Sequence, residues 1–259
     1  MSKIFDYMAL SKNKIKLIHS LDLKKNRIKE NLFVCEGHKC VDELLKYFDC
    51  KYIVSTEDWA KLHQNIKCDE FDVVSHGDLA KASLLKTPQD VVALFSLPES
   101  KIDTSLPANS LCLALDDVQN PGNVGTIIRL ADWFGIKTIY CSDGCADVYS
   151  PKTVQATMGA LGRITVYYVD LVTLIKQMHN VPVYATLLDG QNIYDEELSD
   201  HGLIIMGNEG NGISTDVEKL VNHRLYIPNY PIGKETSESL NVAMATGIVC
   251  AEFRRRVRK

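Results

Sequence analysis

The feature that most constrains the fold is a series of short, wholly apolar segments in the second half of the chain. Leu111–Leu115, Thr138–Cys141 and residues 203–206 contain no alternating polar positions, and segments with helical spacing separate them. Strands of this kind are buried on both faces, and the intervening helices cover those faces. The pattern predicts an α/β fold with a parallel sheet. The other elements predicted here are strands at 164–169 and 183–187 and helices at 125–134, 151–158, 171–178 and 240–255.

A second, smaller unit is predicted upstream of this sheet. Apolar strands at 32–36, 51–55 and 71–75 alternate there with segments of helical spacing at 41–48 and 59–64. Residues 96–110 contain Pro98 and Pro107 among polar residues, which is typical of a linker. A chain of 259 residues is long enough for two domains. We therefore predict a small α/β domain at 1–97, a linker at 98–110 and a larger domain at 111–259.

Composition narrows the class of protein. With 46% hydrophobic and 24% charged residues, no signal-peptide pattern and no apolar run of membrane-helix length, the chain is expected in the cytoplasm. The eight cysteines form no C-x-x-C pair, which favours reduced, mostly buried thiols and no metal site.

The distribution of basic residues along the chain is more informative about a nucleic-acid partner than the net charge. The net charge of −4 argues mildly against a nucleic-acid partner, but basic residues cluster at both ends of the chain. Each cluster is either a solvated surface or a contact to phosphates. The clusters are Lys12, Lys14, Lys16, Lys24, Lys25, Arg27 and Lys29, and then Arg254, Arg255, Arg256, Arg258 and Lys259.

Three polar, glycine-rich segments follow predicted strands, which is where ligands bind in open α/β sheets. They are D-D-V-Q-N-P-G-N-V-G-T-I-I-R at 116–129, M-G-N-E-G-N-G-I-S at 206–214 and I-P-N-Y-P-I-G-K-E-T-S-E-S-L-N-V-A-M-A at 227–245. Gly122 and Gly125 are expected to permit a tight turn, and Asn120 and Asn123 to hydrogen-bond local backbone or a ligand. Ser239 or Asn241 is expected to cap the last helix. No strand is followed by G-x-G-x-x-G with a later acidic residue, which argues against a nicotinamide-dependent dehydrogenase.

In this order and spacing, the three segments resemble the motifs of the SpoU/TrmH family of the SPOUT methyltransferase superfamily, over about residues 111–255. The run K-K-N-R-I-K-E-N-L-F-V-C-E-G-H-K-C-V-D-E-L-L at 24–45 is similar to the substrate-binding domain of many SpoU proteins. The resemblance implies a small α/β domain like ribosomal protein L30e, then a parallel-sheet SPOUT domain with a deep trefoil knot. It also implies a bound S-adenosylmethionine and a homodimer.

The activity implied by this resemblance is transfer of a methyl group from S-adenosylmethionine to a ribose 2′-hydroxyl of RNA, with ribosomal RNA favoured. The alternatives are the same chemistry on transfer RNA, or a noncatalytic RNA-binding protein with the same fold. The family's cofactor contacts correspond here to Thr186, Leu187, Gly207, Ile227 and Leu240. Its residues for catalysis or site architecture correspond to Asn120, Arg129, Glu209, Ser239 and Asn241.

Roles for some of these residues follow from their chemistry. A guanidinium stays protonated in proteins, so Arg129 is expected to hold an RNA phosphate or the developing alkoxide rather than to remove a proton. Glu209 is either a proton acceptor or a carboxylate that fixes its loop. A bulky side chain at Gly207 is expected to block the cofactor without unfolding the protein. Two features depart from the family pattern: residues 230–238 are longer than in many relatives, and Gln155 stands where many have Arg.

Overall fold

The computed structural model describes residues 9–99, 101–231 and 239–256. Its helices in chain order are α1 (Lys12–Ser20), α2 (Lys24–Glu30), α3 (His38–Leu44), α4 (Glu57–Leu62), α5 (His76–Ala82), α6 (Pro121–Trp133), α7 (Pro151–Thr157), α8 (Leu171–Lys176), α9 (Thr215–Glu218) and α10 (Val242–Arg256). Its strands are β1 (Leu32–Glu36), β2 (Cys50–Ser55), β3 (Glu70–Val73), β4 (Val91–Ser96), β5 (Leu111–Leu115), β6 (Thr138–Cys141), β7 (Thr165–Tyr168), β8 (Val183–Asn192), β9 (Gly202–Met206) and β10 (His223–Tyr226).

The chain groups into two compact units. The first contains residues up to 100 together with Asp147–Gly162, and the second contains Lys101–Ala146 together with the chain from Arg163 onward. Helix α7 therefore packs with the first unit, although it lies between strands of the second unit in sequence. The division into domains at 1–97 and 111–259, with a linker at 98–110, stays a prediction.

The first unit contains a four-stranded sheet in the order β1-β4-β2-β3. Strand β4, which lies between β1 and β2, is antiparallel to both of them, whereas β2 and β3 are parallel to each other. Phe33, Ile53 and Phe95 are fully buried in this unit. The sequence analysis named neither β4 nor α5, so this mixed arrangement was not predicted.

The second unit contains six parallel strands in the order β10-β8-β9-β5-β6-β7, which confirms the predicted parallel α/β sheet. Leu115 is level with Met206 on one side and with Cys141 on the other. The carboxyl ends of β5, β6 and β9 therefore meet at one edge of the sheet. The trefoil knot stays a prediction, and most of the long stretch at 230–238 lies outside the described residues.

Helix α6 begins four positions before the predicted start at 125. The side-chain oxygen of Asn120 accepts hydrogen bonds from the backbone N–H groups of Gly122 at 2.8 Å and Asn123 at 3.2 Å. Pro121 occupies the first helical turn, where its missing N–H costs nothing. The expectation that Gly122 and Gly125 form a tight turn is therefore wrong: both lie within α6.

The cysteines are unpaired, and all are buried except the half-exposed Cys68, which confirms the predicted buried thiols. Burial raises the pKa of Cys250 to about 12. Within the described ranges, no cluster of three His, Cys, Asp or Glu side chains could hold a metal ion. No helix in those ranges is long and apolar enough to cross a membrane.

Candidate active site

The loops after β5 and β9 are joined by hydrogen bonds at the carboxyl edge of the second unit's sheet. The nearly buried carboxylate of Asp116 accepts the backbone N–H of Ser214 at 2.7 Å. The side-chain amide of Asn208 donates to the backbone carbonyl of Asp117, also at 2.7 Å. These bonds hold the first and second glycine-rich segments together. Asp116 and Asn208 were not singled out from the sequence.

Asn123 links all three glycine-rich segments. Its side-chain nitrogen donates to Glu209 Oε1 at 2.5 Å, and its side-chain oxygen accepts from the Asn241 amide nitrogen at 3.0 Å. The Asn241 oxygen in turn accepts the backbone N–H of Ala243 at 3.0 Å, so Asn241 caps α10 as predicted. A carboxylate can only accept, which determines the orientation of both amides. We call this chain of bonds, Glu209–Asn123–Asn241, the junction.

The remaining predicted catalytic residues lie outside the junction. Asn120 caps α6 through its side-chain oxygen. Ser239 is exposed, and its side chain has no hydrogen bond within the part of the chain that the structure describes. Arg129 is exposed on α6 and has no hydrogen bond or ion pair with any described residue. Six residues after Asn123, it lies about 120° away around the helix. The structure thus brings Glu209 and Asn241 together, but not Arg129 with them.

Four of the predicted cofactor residues lie in or directly after three neighbouring strands, β8, β9 and β10. Thr186 lies beside Met206, its hydroxyl 3.8 Å from the methionine sulfur, and Met206 directly precedes Gly207. Ile227 directly follows β10, which pairs with β8. Leu187 and Ile227 are half-buried, and Leu240 is half-exposed next to the junction. Peptide groups with apolar side chains suit the uncharged purine and ribose of S-adenosylmethionine, so these residues fit the cofactor.

Residues 186–190 leave the ladder between β8 and β10. Arg224 pairs with Ala185, and the next residue, Leu225, pairs with Gln191. A Cβ atom at Gly190 would lie 2.5 Å from the backbone of Leu225, so no side chain fits there. This close approach explains a glycine for which the sequence analysis gave no role.

Gly207 is constrained by its own loop. A Cβ atom there would lie 2.6 Å from the backbone nitrogen of Ile213, and Asn208 and Gly212 close the loop with reciprocal backbone hydrogen bonds. Gly212 has a φ of +69°, which favours glycine. The expectation that a bulky residue at Gly207 blocks only the cofactor is therefore wrong, because any side chain would first displace the loop.

Several members of the basic clusters are structural. Arg27 is buried, donates to the Leu21 carbonyl and pairs with Asp147. Lys14 pairs with Glu70 and Asp72. Arg254 and Arg256 donate to backbone carbonyls of other segments, and Arg255 pairs with Glu252. Lys12, Lys16 and Lys25 are exposed and without partners among the described residues, while Arg258 and Lys259 lie outside those residues.

Comparison with known proteins decides the family. The SpoU rRNA Methylase family matches residues 110–251, and the MRM3-like substrate binding domain matches residues 12–93. The chain belongs to the SpoU rRNA methylase family. This chain is similar to the 23S rRNA (guanosine(2553)-2′-O)-methyltransferase RlmP of Bacillus subtilis, with 31% identity over 93% of this chain and 96% of that protein.

Solved structures agree with this assignment. A putative RNA methyltransferase of the TrmH family from Porphyromonas gingivalis is 39% identical, with a TM-score of 0.85 over 96% of this chain and all of that one. An rRNA methyltransferase from Sinorhizobium meliloti with bound AdoMet is 28% identical, with a TM-score of 0.81 over 97% of this chain and 98% of that chain. The predicted class, a methyltransferase that uses S-adenosylmethionine, is confirmed at the level of the family.

Proposed function

We propose that this protein transfers a methyl group from S-adenosylmethionine to a ribose 2′-hydroxyl of ribosomal RNA in the cytoplasm. The main support for this proposal is the junction, whose hydrogen bonds connect the three family motifs at the carboxyl edge of a parallel sheet. The relative RlmP acts on a guanosine of 23S rRNA, which favours large-subunit ribosomal RNA here. The 2′-hydroxyl is the group that distinguishes RNA from DNA.

Residues in β8 and directly after β9 and β10 would hold the cofactor. They are Thr186, Leu187, Gly207 and Ile227, with Leu240 two positions before α10. When bound, S-adenosylmethionine supplies a methyl group on a positively charged sulfur. The protein's own task is to orient the ribose hydroxyl toward that group and to exclude competing water.

Arg129 acts on the RNA side of the site. Its guanidinium has no partner within the described ranges and remains available to an anion. Fixed positive charge next to the ribose would hold an adjoining phosphate and stabilise the developing alkoxide. The hydroxyl proton passes to an RNA phosphate oxygen or another acceptor, since the guanidinium cannot take it. Ser239, exposed beside the junction, contacts the RNA.

The junction residues position the site. Glu209 accepts from Asn123 through one oxygen, and Asn241 anchors α10 through its cap. Both therefore fix the loops that carry Gly207 and Leu240. We assign Glu209 this positioning role in preference to that of proton acceptor. Asn120 has a related role, because its cap sets the start of α6 and hence the place of Asn123.

The protein forms a homodimer through the face shared by α6 and α10. These helices pack together, with Gly247 facing Leu130. Trp133 is 83% exposed and Met244 is 66% exposed on this pair, which leaves apolar surface for a second copy. Arg129 lies one turn before Trp133 on the same side of α6. A dimer would therefore place Arg129 at or beside the interface.

Mapping methylated riboses tests the substrate. Ribosomal and transfer RNA from cells with and without the gene are compared for 2′-O-methylated positions. The proposal expects one ribosomal position to lose its methyl group when the gene is removed and to regain it when the gene is restored. Loss of a position in transfer RNA alone would assign the chemistry to that substrate, and unchanged maps in both RNAs would contradict the proposed activity.

A further inference from the structure

A segment from the methylase part of the sequence forms part of the first unit. Residues Asp147–Gly162, here called the strap, pack with that unit. The strap lies within the range matched by the SpoU rRNA Methylase family, whereas the match to the substrate binding domain ends at residue 93. Part of the surface of the substrate-binding unit is therefore supplied by chain outside that domain's own sequence.

The start of the strap is anchored to α2 and β1. The buried Arg27 guanidinium pairs with Asp147 at 2.5 Å and also donates to the Leu21 carbonyl at 2.6 Å. The ring of Tyr149 packs on Phe33, with 5.1 Å between the ring centroids. Burial raises the pKa of Tyr149, as expected for a ring enclosed by the unit.

The rest of the strap lies directly on α3 and the residues after it. Cys40 Sγ is 3.8 Å from the Val154 carbonyl oxygen. A Cβ atom at Gly159 would lie 2.5 Å from Glu43 Cβ, and one at Gly162 would lie 2.8 Å from the ring of Tyr47. These two glycines allow the strap to touch α3 without a side chain between them. The strap therefore belongs to the body of the first unit along its whole length.

The exposed side of the strap carries two polar side chains. On α7, Lys152 is exposed and Gln155, one turn later, is half-exposed, and neither side chain has a hydrogen bond or ion pair within the described ranges. Met158 follows at 46% exposed. Two carboxylates of the strap and its contacts, Asp147 and Glu43, are paired with Arg27 and Lys46. The charge of Lys152 is therefore left for an external anion.

We propose that the strap is part of the surface that recognises RNA, with Lys152 on a phosphate and Gln155 on a base edge or ribose hydroxyl. This inference rests on the proposed function, since it takes RNA as the substrate. An unpaired lysine matches the phosphate backbone, and a side-chain amide both donates and accepts, as reading of bases and 2′-hydroxyls requires. Lys25, also exposed, lies on α2, the helix that Arg27 links to the strap.

The test measures RNA affinity across a salt series for Lys152→Ala and Gln155→Ala, with in vitro transcribed large-subunit ribosomal RNA as the probe. Lys152→Ala is expected to weaken binding by roughly fivefold and to lower the salt slope by about one. Gln155→Ala is expected to weaken binding to this transcript more than to an unrelated RNA of equal length. The matched control is Lys176→Ala, an exposed lysine of α8 in the second unit that forms no hydrogen bond or ion pair within the described residues.

The variants must keep the fold and the cofactor site, which thermal unfolding and calorimetry with S-adenosylmethionine verify. Strap variants that bind the transcript with wild-type affinity and salt slope would overturn the inference. An effect of Lys176→Ala as large as that of Lys152→Ala would also overturn it. Wild-type protein that binds the transcript but methylates no RNA would overturn the proposed function, while the binding comparison still decides the role of the strap.

Discussion

At the scale of single residues, Asn123 is the side chain on which the arrangement of the site depends most. It donates to Glu209 and accepts from Asn241, so it orients groups from two other segments of the chain. The bridge needs a side chain that donates to the Glu209 carboxylate and at the same time accepts from the Asn241 amide, and the amide of Asn123 does both. Loss of this bridge is expected to loosen the relative positions of the loops at the sheet edge.

Asn123→Ala is therefore expected to reduce the single-turnover methylation rate by roughly tenfold or more, which is at least about 1.4 kcal/mol in the barrier. The thermal unfolding midpoint should fall only slightly, since Asn123 is half-exposed. Asn65→Ala, which removes an exposed amide from the first unit, serves as the control. A folded Asn123→Ala protein with the wild-type rate would refute the positioning role.

The sequence motifs identified Glu209 and Asn241, but for Asn123 they predicted only a hydrogen bond to local backbone or to a ligand, not its place between the other two. In N-P-G-N-V-G, the first asparagine has the ordinary pattern of a helix cap, and the structure shows that it is one. The second asparagine lies in the first turn of the same helix, and only its distance to the other two segments gives it significance. A motif shows which residue types are present, but not which side chains meet across the fold.

At the scale of secondary-structure elements, Arg27 fixes the loop before α2 to the start of the strap. Arg27→Ala would leave Asp147 without its partner and two carbonyls without donors, Leu21 and Asp22. Breaking a buried pair in this way typically costs about 3 kcal/mol. We expect a loss of that order in the free energy of unfolding, measured with urea.

Lys25→Ala is the matched control for Arg27→Ala, because Lys25 is exposed and unpaired within the described residues. It should leave the stability unchanged, and it should weaken RNA binding with a salt slope lower by about one. If Arg27→Ala retained full stability and lost only RNA affinity, the structural role assigned to Arg27 would be wrong.

Helix α10 carries a carboxylate whose charge is stabilised by neighbouring arginines. Hydrogen bonds from Arg255 and Arg256 lower the pKa of Glu252 to about 2 from a usual value of 4.5. A pKa that is lower in the folded state adds stability above about pH 4.5, and this contribution is lost as the pH falls toward 2. Glu252→Gln should therefore lower the unfolding midpoint at pH 6 and have a smaller effect near pH 3.

The matched control for this pH series is Glu197→Gln, which changes an exposed carboxylate with no partner among the described residues. It should shift the unfolding midpoint little at either pH. A difference between wild type and Glu252→Gln that stays constant from pH 6 to pH 3 would contradict the assigned cause.

The accuracy of the sequence predictions differed between elements for physical reasons. Strands β5 and β6 have the predicted bounds, because they are continuous apolar runs that are buried on both faces. The start of α6 was placed too late, since Gly122 and Gly125 suggested a turn, whereas the structure has both within the helix that Asn120 caps. Strand β4 was not predicted from the sequence. Its position between β1 and β2 depends on antiparallel pairing with strands that lie far away in the sequence.

At the scale of the whole molecule, the dimer proposal concerns apolar surface that the single chain leaves exposed. Trp133→Arg places a charge in the proposed interface, where burial of an unpaired charge is costly. Wild-type protein should give a dimer mass by light scattering at micromolar concentration, and Trp133→Arg should shift it toward monomer. Leu62→Arg is the control, because Leu62 is equally exposed at 81% but lies in the first unit. A wild-type monomer would contradict the proposal.

The parallel sheet could be predicted from hydrophobic pattern, but its strand order could not. Strand β9 lies between β8 and β5, so the chain returns to the middle of the sheet after adding an outer strand. Local periodicity contains no information on such a return. The family resemblance supplied the expected site residues, and the structure then showed which of them are hydrogen-bonded to one another.

The most direct test of the proposed activity is single-turnover methyl transfer to large-subunit ribosomal RNA, with labelled S-adenosylmethionine at saturation. Wild-type protein should produce one 2′-O-methylated nucleoside. Arg129→Ala should lower the rate at saturating RNA by about a hundredfold or more, as expected for a group that acts in the transition state, while RNA affinity should fall no further than the roughly fivefold expected for one lost phosphate contact. Arg129→Lys keeps the charge but loses the planar fork, and should recover only part of the rate. A methyl group on a base, or a wild-type rate for Arg129→Ala, would contradict the account.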